Sequence, residues 1–186
     1  MLDIAALAKV AVDKFPYQIG AFYGTSAGLA LGVGLVVDGI TFPLFDEEEA
    51  LFDTAKGLVC VLTHECDLDN ERAFNDYVLV CPIVGFEEFA KNYAERISEG
   101  ALAGLIPDLA GDRIYRALYV PPIDKDVLPF GGIIYLNQIC STHVSSFRAE
   151  GAKQVCALSS YAQQIIDIKL TNHLLRPKAE PLPQLH

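Results

Sequence analysis

The chain has 186 residues, 52% of them hydrophobic, and a formal net charge of −10 at pH 7. This length suffices for one domain with a continuous hydrophobic core, and the composition excludes an intrinsically disordered protein. The 24 acidic side chains outnumber the 14 basic ones. Nucleic-acid binding is therefore disfavoured, because contacts with phosphates need clustered Lys and Arg.

The cysteines and the N-terminal residues indicate the compartment. The number of cysteines, five, is odd, and three of them lie in apolar runs such as LVCVL and VLVCPIV, which is typical of buried thiols in a reducing compartment. No basic region precedes an apolar stretch at the N-terminus, so we expect no signal peptide. The uncharged segment 15–37 contains five glycines, which favour short strands over a membrane span. We therefore expect a cytoplasmic protein without a membrane segment.

The first element predicted along the chain is an amphipathic helix at 1–15. Its apolar residues recur at helical intervals, and Pro16 follows as a stop signal. Two short strands punctuated by glycine are predicted next, at 18–24 and 29–37. The chain thus passes from helix to sheet within its first forty residues.

Two apolar, β-branched runs are predicted as central strands. They are KGLVCVLT at 56–63 and YVLVCPIV at 77–84, joined by a polar loop. Before them we predict a turn at Asp38-Gly39 and an acidic loop or helical turn at 46–53.

The second half continues with alternating helices and strands. The predicted order is helix 86–99, strands 113–120 and 132–142, a short strand 155–158, helix 159–176 and a proline-containing tail 177–186. No internal repeat and no linker divides the chain. We therefore expect a single α+β domain spanning 1–186.

Three segments occur in an order and spacing that point to a known family. KGLVCVLT precedes DYVLVCPIVG, GGIIYLNQICSTH places Gln138 among aliphatic residues, and Leu158-Ser159 opens the last helix. Together they resemble the PemK/MazF family of small SH3-like barrels, which occur in bacterial toxin–antitoxin pairs. The resemblance implies that residues 18–158 form an SH3-like β-barrel into which helix 86–99 is inserted.

The catalytic positions of that family are replaced in this chain. In the family, the first run begins with an Arg-Pro pair, and the second run contains a Pro-Ile pair that is followed by Thr or Ser. RNA cleavage needs this Arg and this Thr or Ser. The matching positions here are Lys56-Gly57 and Val84, which supply neither a guanidinium group nor a hydroxyl. We therefore expect a domain that binds a protein partner rather than an enzyme, in a toxin–antitoxin or defence context.

Histidines and cysteines near two strand ends form the main candidate site. His64 and Cys66 alternate in THECDLDN, and Cys140 and His143 close a later strand. Two Cys and two His are a donor set suited to zinc, so these four residues are a candidate zinc site if the strands are neighbours. The Cys66-Asp67 pair also resembles a set of uncharacterised bacterial proteins with Cys-Asp at this strand end, a likeness that implies no activity.

Other interpretations of these residues stay open. Cys66 could be a nucleophile with His64 or His143 as its base and Asp67 as the group that orients the base. A divergent endoribonuclease or a metal- or cysteine-dependent hydrolase would then use the cluster of His64, Cys66, Asp67, Cys140 and His143. Alternatively, the cysteines are small buried hydrophobes and the histidines hydrogen-bond to the backbone. A structural homodimer, formed through the N-terminal helix or segment 19–37, is a further alternative.

Overall fold

The computed structural model describes residues 2–24, 30–46, 51–64, 76–123 and 126–175. Within them lie four α-helices: Ile4–Lys14 (α1), Phe86–Arg96 (α2), Glu99–Ala110 (α3) and Ser160–Leu175 (α4). Eight strands accompany them: Tyr23–Gly24 (β1), Leu35–Asp46 (β2), Leu51–Val61 (β3), Tyr77–Gly85 (β4), Ala117–Val120 (β5), Gly132–Tyr135 (β6), Cys140–His143 (β7) and Lys153–Leu158 (β8). The α+β class predicted from the sequence is confirmed.

Side chains fix the starts of three helices. Asp3, Ser98 and Ser159 each accept a hydrogen bond from the backbone N–H three residues later, at 3.0, 3.3 and 3.2 Å. Such caps satisfy one of the N–H groups that the first helical turn leaves without a partner. The boundaries of α1, α3 and α4 are therefore set locally by short polar residues.

The strands form one antiparallel sheet with the order β1-β8-β2-β3-β4-β6-β5, and β7 also pairs with β4. Within the described residues the sheet does not close, because β1 and β5 lie at its two ends. The four helices pack against one face and share a large core with it.

The other face carries a smaller core. Its members are Leu35, Val37, Ile40, Phe42, Val59, Val61, Val78, Val80 and Ala157. Val144 and Phe147, which follow β7, pack against this core. The hydroxyl of Thr142 donates to the carbonyl of Thr41 at 2.7 Å, so β7 lies against β2. Five strands, β8, β2, β3, β4 and β7, thus curl around the smaller core.

The β2–β3 hairpin extends beyond its neighbours. Its paired residues run from Val36–Cys60 to Asp46–Leu51. β8 pairs with β2 only as far as Asp38, and β4 pairs with β3 only from Val59 to Val61. Residues 43–46 and 51–54, which we call the arm, are therefore a two-stranded ribbon without a third strand among the described residues.

The structure departs from the sequence-based expectation around the arm. The predicted turn at Asp38-Gly39 is wrong, because both residues lie inside β2, where the register shifts between Val37 and Ile40. The predicted loop or helical turn at 46–53 is strand at Asp46 and from Leu51 onwards, while 47–50 lie outside the described residues. The dipeptide therefore marks a bulge within one long strand.

Two further elements differ from the prediction. The single helix expected at 86–99 is followed by a second helix, α3, and the strand expected at 132–142 is interrupted between β6 and β7. Residues 19–21, expected in a strand, form a 3₁₀ turn. Among the described residues, no helix combines the length and apolar character needed to cross a membrane.

Buried titratable groups predict a loss of stability at alkaline pH. Burial raises the pKa of the Cys81 and Cys156 thiols from 9.0 to about 12, and it raises the pKa of Tyr23 and Tyr119 above their usual 10.0. The unfolded chain releases these protons first, so stability is complete below about pH 9 and falls as the pH rises towards 12. Urea unfolding between about pH 8 and pH 11 under reducing conditions measures the decline.

A pair of tyrosine variants separates this effect from general alkaline repulsion. Tyr119→Phe removes a fully buried hydroxyl, which donates to the carbonyl of Phe130 at 3.1 Å, and should flatten the decline. Tyr115→Phe changes a residue that is 59% exposed and should leave the slope as it is. Equal slopes for both variants would contradict the assignment to buried groups.

Candidate functional site

The predicted His/Cys cluster lies beside one end of β4. His64 follows β3, while Cys140 and His143 are the first and last residues of β7. β4 lies between these strands, because Val80 pairs with β3 on one side and with β7 on the other. Cys66 and Asp67 lie outside the described residues.

Cys140 and His143 point to opposite faces of the sheet. Cys140 pairs with Val80 and packs against the smaller core. His143 pairs with Tyr77, and the two rings are in edge contact at 5.6 Å. Residues three apart in an extended strand have this opposite orientation. These two side chains therefore do not converge on one ion, and the four-residue zinc site, which includes Cys66, stays a prediction that its β7 members do not support.

The hydrogen bonds of His143 give it a capping role. Its Nδ1 atom accepts from the backbone N–H of Ser145 at 3.2 Å and lies 2.7 Å from the Ser145 hydroxyl. A backbone N–H can only donate, so Nδ1 is the acceptor nitrogen and the neutral ring carries its proton on Nε2. This tautomer has no free lone pair for a metal or for a substrate proton. His143 thus caps the 3₁₀ segment Val144–Arg148.

The described cysteines have the properties of apolar core residues. Cys60, Cys81, Cys140 and Cys156 form no disulfide. Burial raises the pKa of each thiol above the usual value, so all four are protonated at neutral pH. Since the thiolate is both the nucleophile and the metal ligand, none of these four side chains is prepared for either role.

Two surface depressions among the described residues are further places where a ligand could bind. One, of about 350 Å³, lies between the start of α2 and residues 127–131, and the other, of about 360 Å³, lies beside β1 and β8. In the part of the chain that the structure describes, no group of three or more His, Cys, Asp or Glu side chains could hold a metal ion.

The arm is the feature that stands out from this surface. Leu44, Phe45, Leu51 and Phe52 are 38%, 49%, 62% and 76% exposed. Single exposed apolar residues are common on soluble proteins, whereas a contiguous group of them marks a contact surface. The four side chains lie at the paired ends of two strands: Phe45 and Phe52 form one such group on one face, and Leu44 and Leu51 lie on the other face.

The two faces of the arm differ in character. Phe45 and Phe52 are directly paired, and their rings meet edge to face with centroids 5.3 Å apart. Leu44 pairs with Asp53 on the opposite face. That face buries Ile40 lower in the hairpin and exposes Leu44 where the strand passes beyond the core. The arm therefore has an aromatic face and a mixed leucine and aspartate face.

The sequence of the arm, and of the residues between its two strands, is strongly acidic. Residues 46–49 read Asp-Glu-Glu-Glu, and Asp53 follows four residues later. The sequence predicts an acidic loop or helical turn at 46–53, and this prediction misses the exposed apolar residues on either side of the acidic run. The sequence signal for these apolar residues was the Leu-Phe dipeptide, which occurs once on each side of the acidic run, in PLFD and in ALFD. Symmetric flanks of this kind indicate a hairpin with apolar residues at its end.

Comparison with known proteins adds no relative. No protein-family model matches the chain, and no curated protein matches it at a significant level. Functional inference therefore rests on the residues described above.

Proposed function

We propose that this protein is a non-catalytic, PemK/MazF-like domain that binds a protein partner through the arm. The observation that carries the proposal is the exposed phenylalanine pair, Phe45 and Phe52, on a ribbon that no other described element covers. Burying one such side chain completely is worth about 1.5–3 kcal/mol. Two phenylalanines and two leucines therefore offer a substantial driving force for association.

The curvature of the sheet supports the likeness to an SH3-like barrel. Five strands surround the smaller core, and the bond from Thr142 to Thr41 joins the two sides of the curl. The segments that resemble the family supply three of these strands, β3, β4 and β7. The toxin–antitoxin or defence context rests on this likeness alone.

The residues at the family's catalytic positions support a binding role. Lys56 lies on β3, at the base of the arm, and is exposed. Val84 lies on β4, where it pairs with Ile133. An aliphatic side chain in a strand pair offers no hydroxyl to a scissile phosphate, and a lysine lacks the planar fork of an arginine.

Site-specific photocrosslinking tests the proposal. Benzoylphenylalanine incorporated at Phe52 should crosslink a discrete protein in the native host, because this side chain is the most exposed of the arm's leucines and phenylalanines. The same amino acid at Tyr115 is the matched control, since Tyr115 is an aromatic residue 59% exposed outside the arm. Adding Phe45→Ser to the Phe52 probe should reduce the yield of the product.

Two results would contradict the proposal. One is an identical crosslinking pattern from positions 52 and 115, which would show that the arm has no preferred partner. The other is cleavage of RNA by the purified protein that is lost on a single substitution, for example at Lys56. That result would assign catalysis to a domain proposed to lack it.

A further inference from the structure

One edge of the arm is free for strand pairing. β3 pairs with β2 from Leu51 to Cys60, but its other edge pairs with β4 only from Val59 to Val61. Along 51–58, no strand among the described residues occupies that edge. An exposed edge of this length presents a row of N–H and C=O groups to which an extended chain can add.

The other edge of the ribbon is less suited to pairing. Pro43 is the first residue of the arm on β2 and has no N–H to donate. Lower in β2, the carbonyl of Thr41 already accepts from the hydroxyl of Thr142. Strand addition is therefore favoured at β3 rather than at β2.

The side chains along β3 define the chemistry of an added strand. Phe52, Thr54 and Lys56 alternate on the aromatic face, while Asp53 and Ala55 lie on the other. Asp53 is exposed, and the chain as a whole carries a net charge of −10. An added strand is best matched when its apolar residues lie beside Phe52 and its basic residues lie on the Asp53 face.

We propose that β3, from Leu51 to Leu58, receives an extended segment of a protein partner in which basic and apolar residues alternate. The inference rests on the proposed partner-binding function and specifies its mode and chemistry. A second copy of this chain is a poorer occupant, because it brings the same net charge of −10 to the edge. Nucleic acid is disfavoured there for the same reason.

A synthetic peptide of alternating valine and lysine, eight residues long (about the length of the free edge), is the probe. Fluorescence anisotropy with the full-length protein should give a Kd below about 1 mM. The peptide with glutamate in place of lysine should bind about tenfold more weakly or not at all. A version N-methylated at every residue should also lose binding, because neither of its edges can donate hydrogen bonds to β3.

Two protein variants separate this site from general attraction to an acidic protein. Asp53→Lys should weaken binding of the lysine peptide by about tenfold. Glu95→Lys makes the same change of charge at an exposed position of α2 and should have little effect on the binding of the lysine peptide. Equal effects of the two variants, or equal binding of the N-methylated peptide, would overturn strand addition.

The remaining outcomes distinguish the two proposals. If the Phe52 probe captures a partner but the lysine peptide does not bind, the proposed function stands and strand addition is overturned. If amide exchange in the free protein shows 51–58 fully protected, or size measurements show a dimer that Asp53→Lys dissociates, the edge is already occupied and the inference is overturned. Slowed exchange of 51–58 on adding the peptide, with Glu87 to Arg96 of α2 unchanged, would support it.

Discussion

Replacing Lys169 with methionine should destabilise the protein by about 3–5 kcal/mol, the usual cost of removing one partner from a buried ion pair. The side chain of Lys169 is 5% exposed, and its ammonium group donates to the carboxylate of Asp112. It also donates to the carbonyls of Ile114 at 3.0 Å and Ala117 at 2.8 Å. All three of its donors are used, so the substitution removes one hydrogen bond from each of three acceptors.

The position of this ion pair explains why the effect should be global. Asp112 lies between α3 and β5, with a positive φ of 64°, and also accepts a hydrogen bond from the Tyr17 hydroxyl. The pair therefore joins α4, the start of β5 and the segment after α1. Loss of Lys169 therefore loosens two segments of the helical side and one edge strand of the sheet together.

A surface pair provides the control. Lys91→Met breaks a bond of 2.7 Å to Glu87, but these side chains are 60% and 46% exposed, so the expected cost is at most about 0.5 kcal/mol. Chemical denaturation of both variants measures the difference. The double variant with Lys169→Met and Asp112→Asn should recover part of the loss, because asparagine tolerates the positive φ and leaves no unpaired carboxylate. A cost for Lys169→Met within about 1 kcal/mol of the Lys91→Met value would contradict this role.

Sequence reasoning worked where local signals agree with burial. Helices α1 and α4 were predicted close to their observed positions, because apolar periodicity and the prolines that follow them point the same way. Strand β4 was also predicted closely from its apolar run, whereas β3 begins at Leu51, five residues before the predicted start. α3 was missed because it contains two glycines and Pro107, which read as loop signals. Its buried Leu102, Ile106 and Leu109 have helical spacing, so packing overrides the weak propensity.

The candidate site was harder to predict, because its exposure depends on where the neighbouring strands end. The spacing of Cys140 and His143 suggested paired ligands. In the extended strand β7, however, residues three apart point to opposite faces. This could be concluded only once β7 was known to be a strand. The arm owes its exposure to the limits of β8 and β4 rather than to its own residues. The sequence shows that Phe45 and Phe52 are apolar. Only the order and length of the strands show that no other element among the described residues covers these two side chains.

Gly39→Ala should be the second strongly destabilising substitution. Gly39 lies at the bulge of β2 with φ of 75°, and an added Cβ would lie 2.2 Å from the carbonyl oxygen of Gly151. The positive φ costs a residue with a Cβ about 1–3 kcal/mol, and the overlap with a backbone atom adds to this. Because the obstacle is backbone, the segment that leads into β8 must shift to make room.

The bulge links this stability to the proposed function. The register shift at Gly39 lies where β2 leaves β8 and continues into the arm, so the substitution should also change the direction of the arm. Gly104→Ala is the control, since Gly104 is exposed within α3 with nothing near its added Cβ, and alanine should stabilise the helix by about 0.5–1 kcal/mol. The free energy of unfolding, measured by chemical denaturation, should therefore fall for Gly39→Ala and rise for Gly104→Ala. A neutral Gly39→Ala variant with unchanged crosslinking from position 52 would show that the bulge neither requires glycine nor orients the arm.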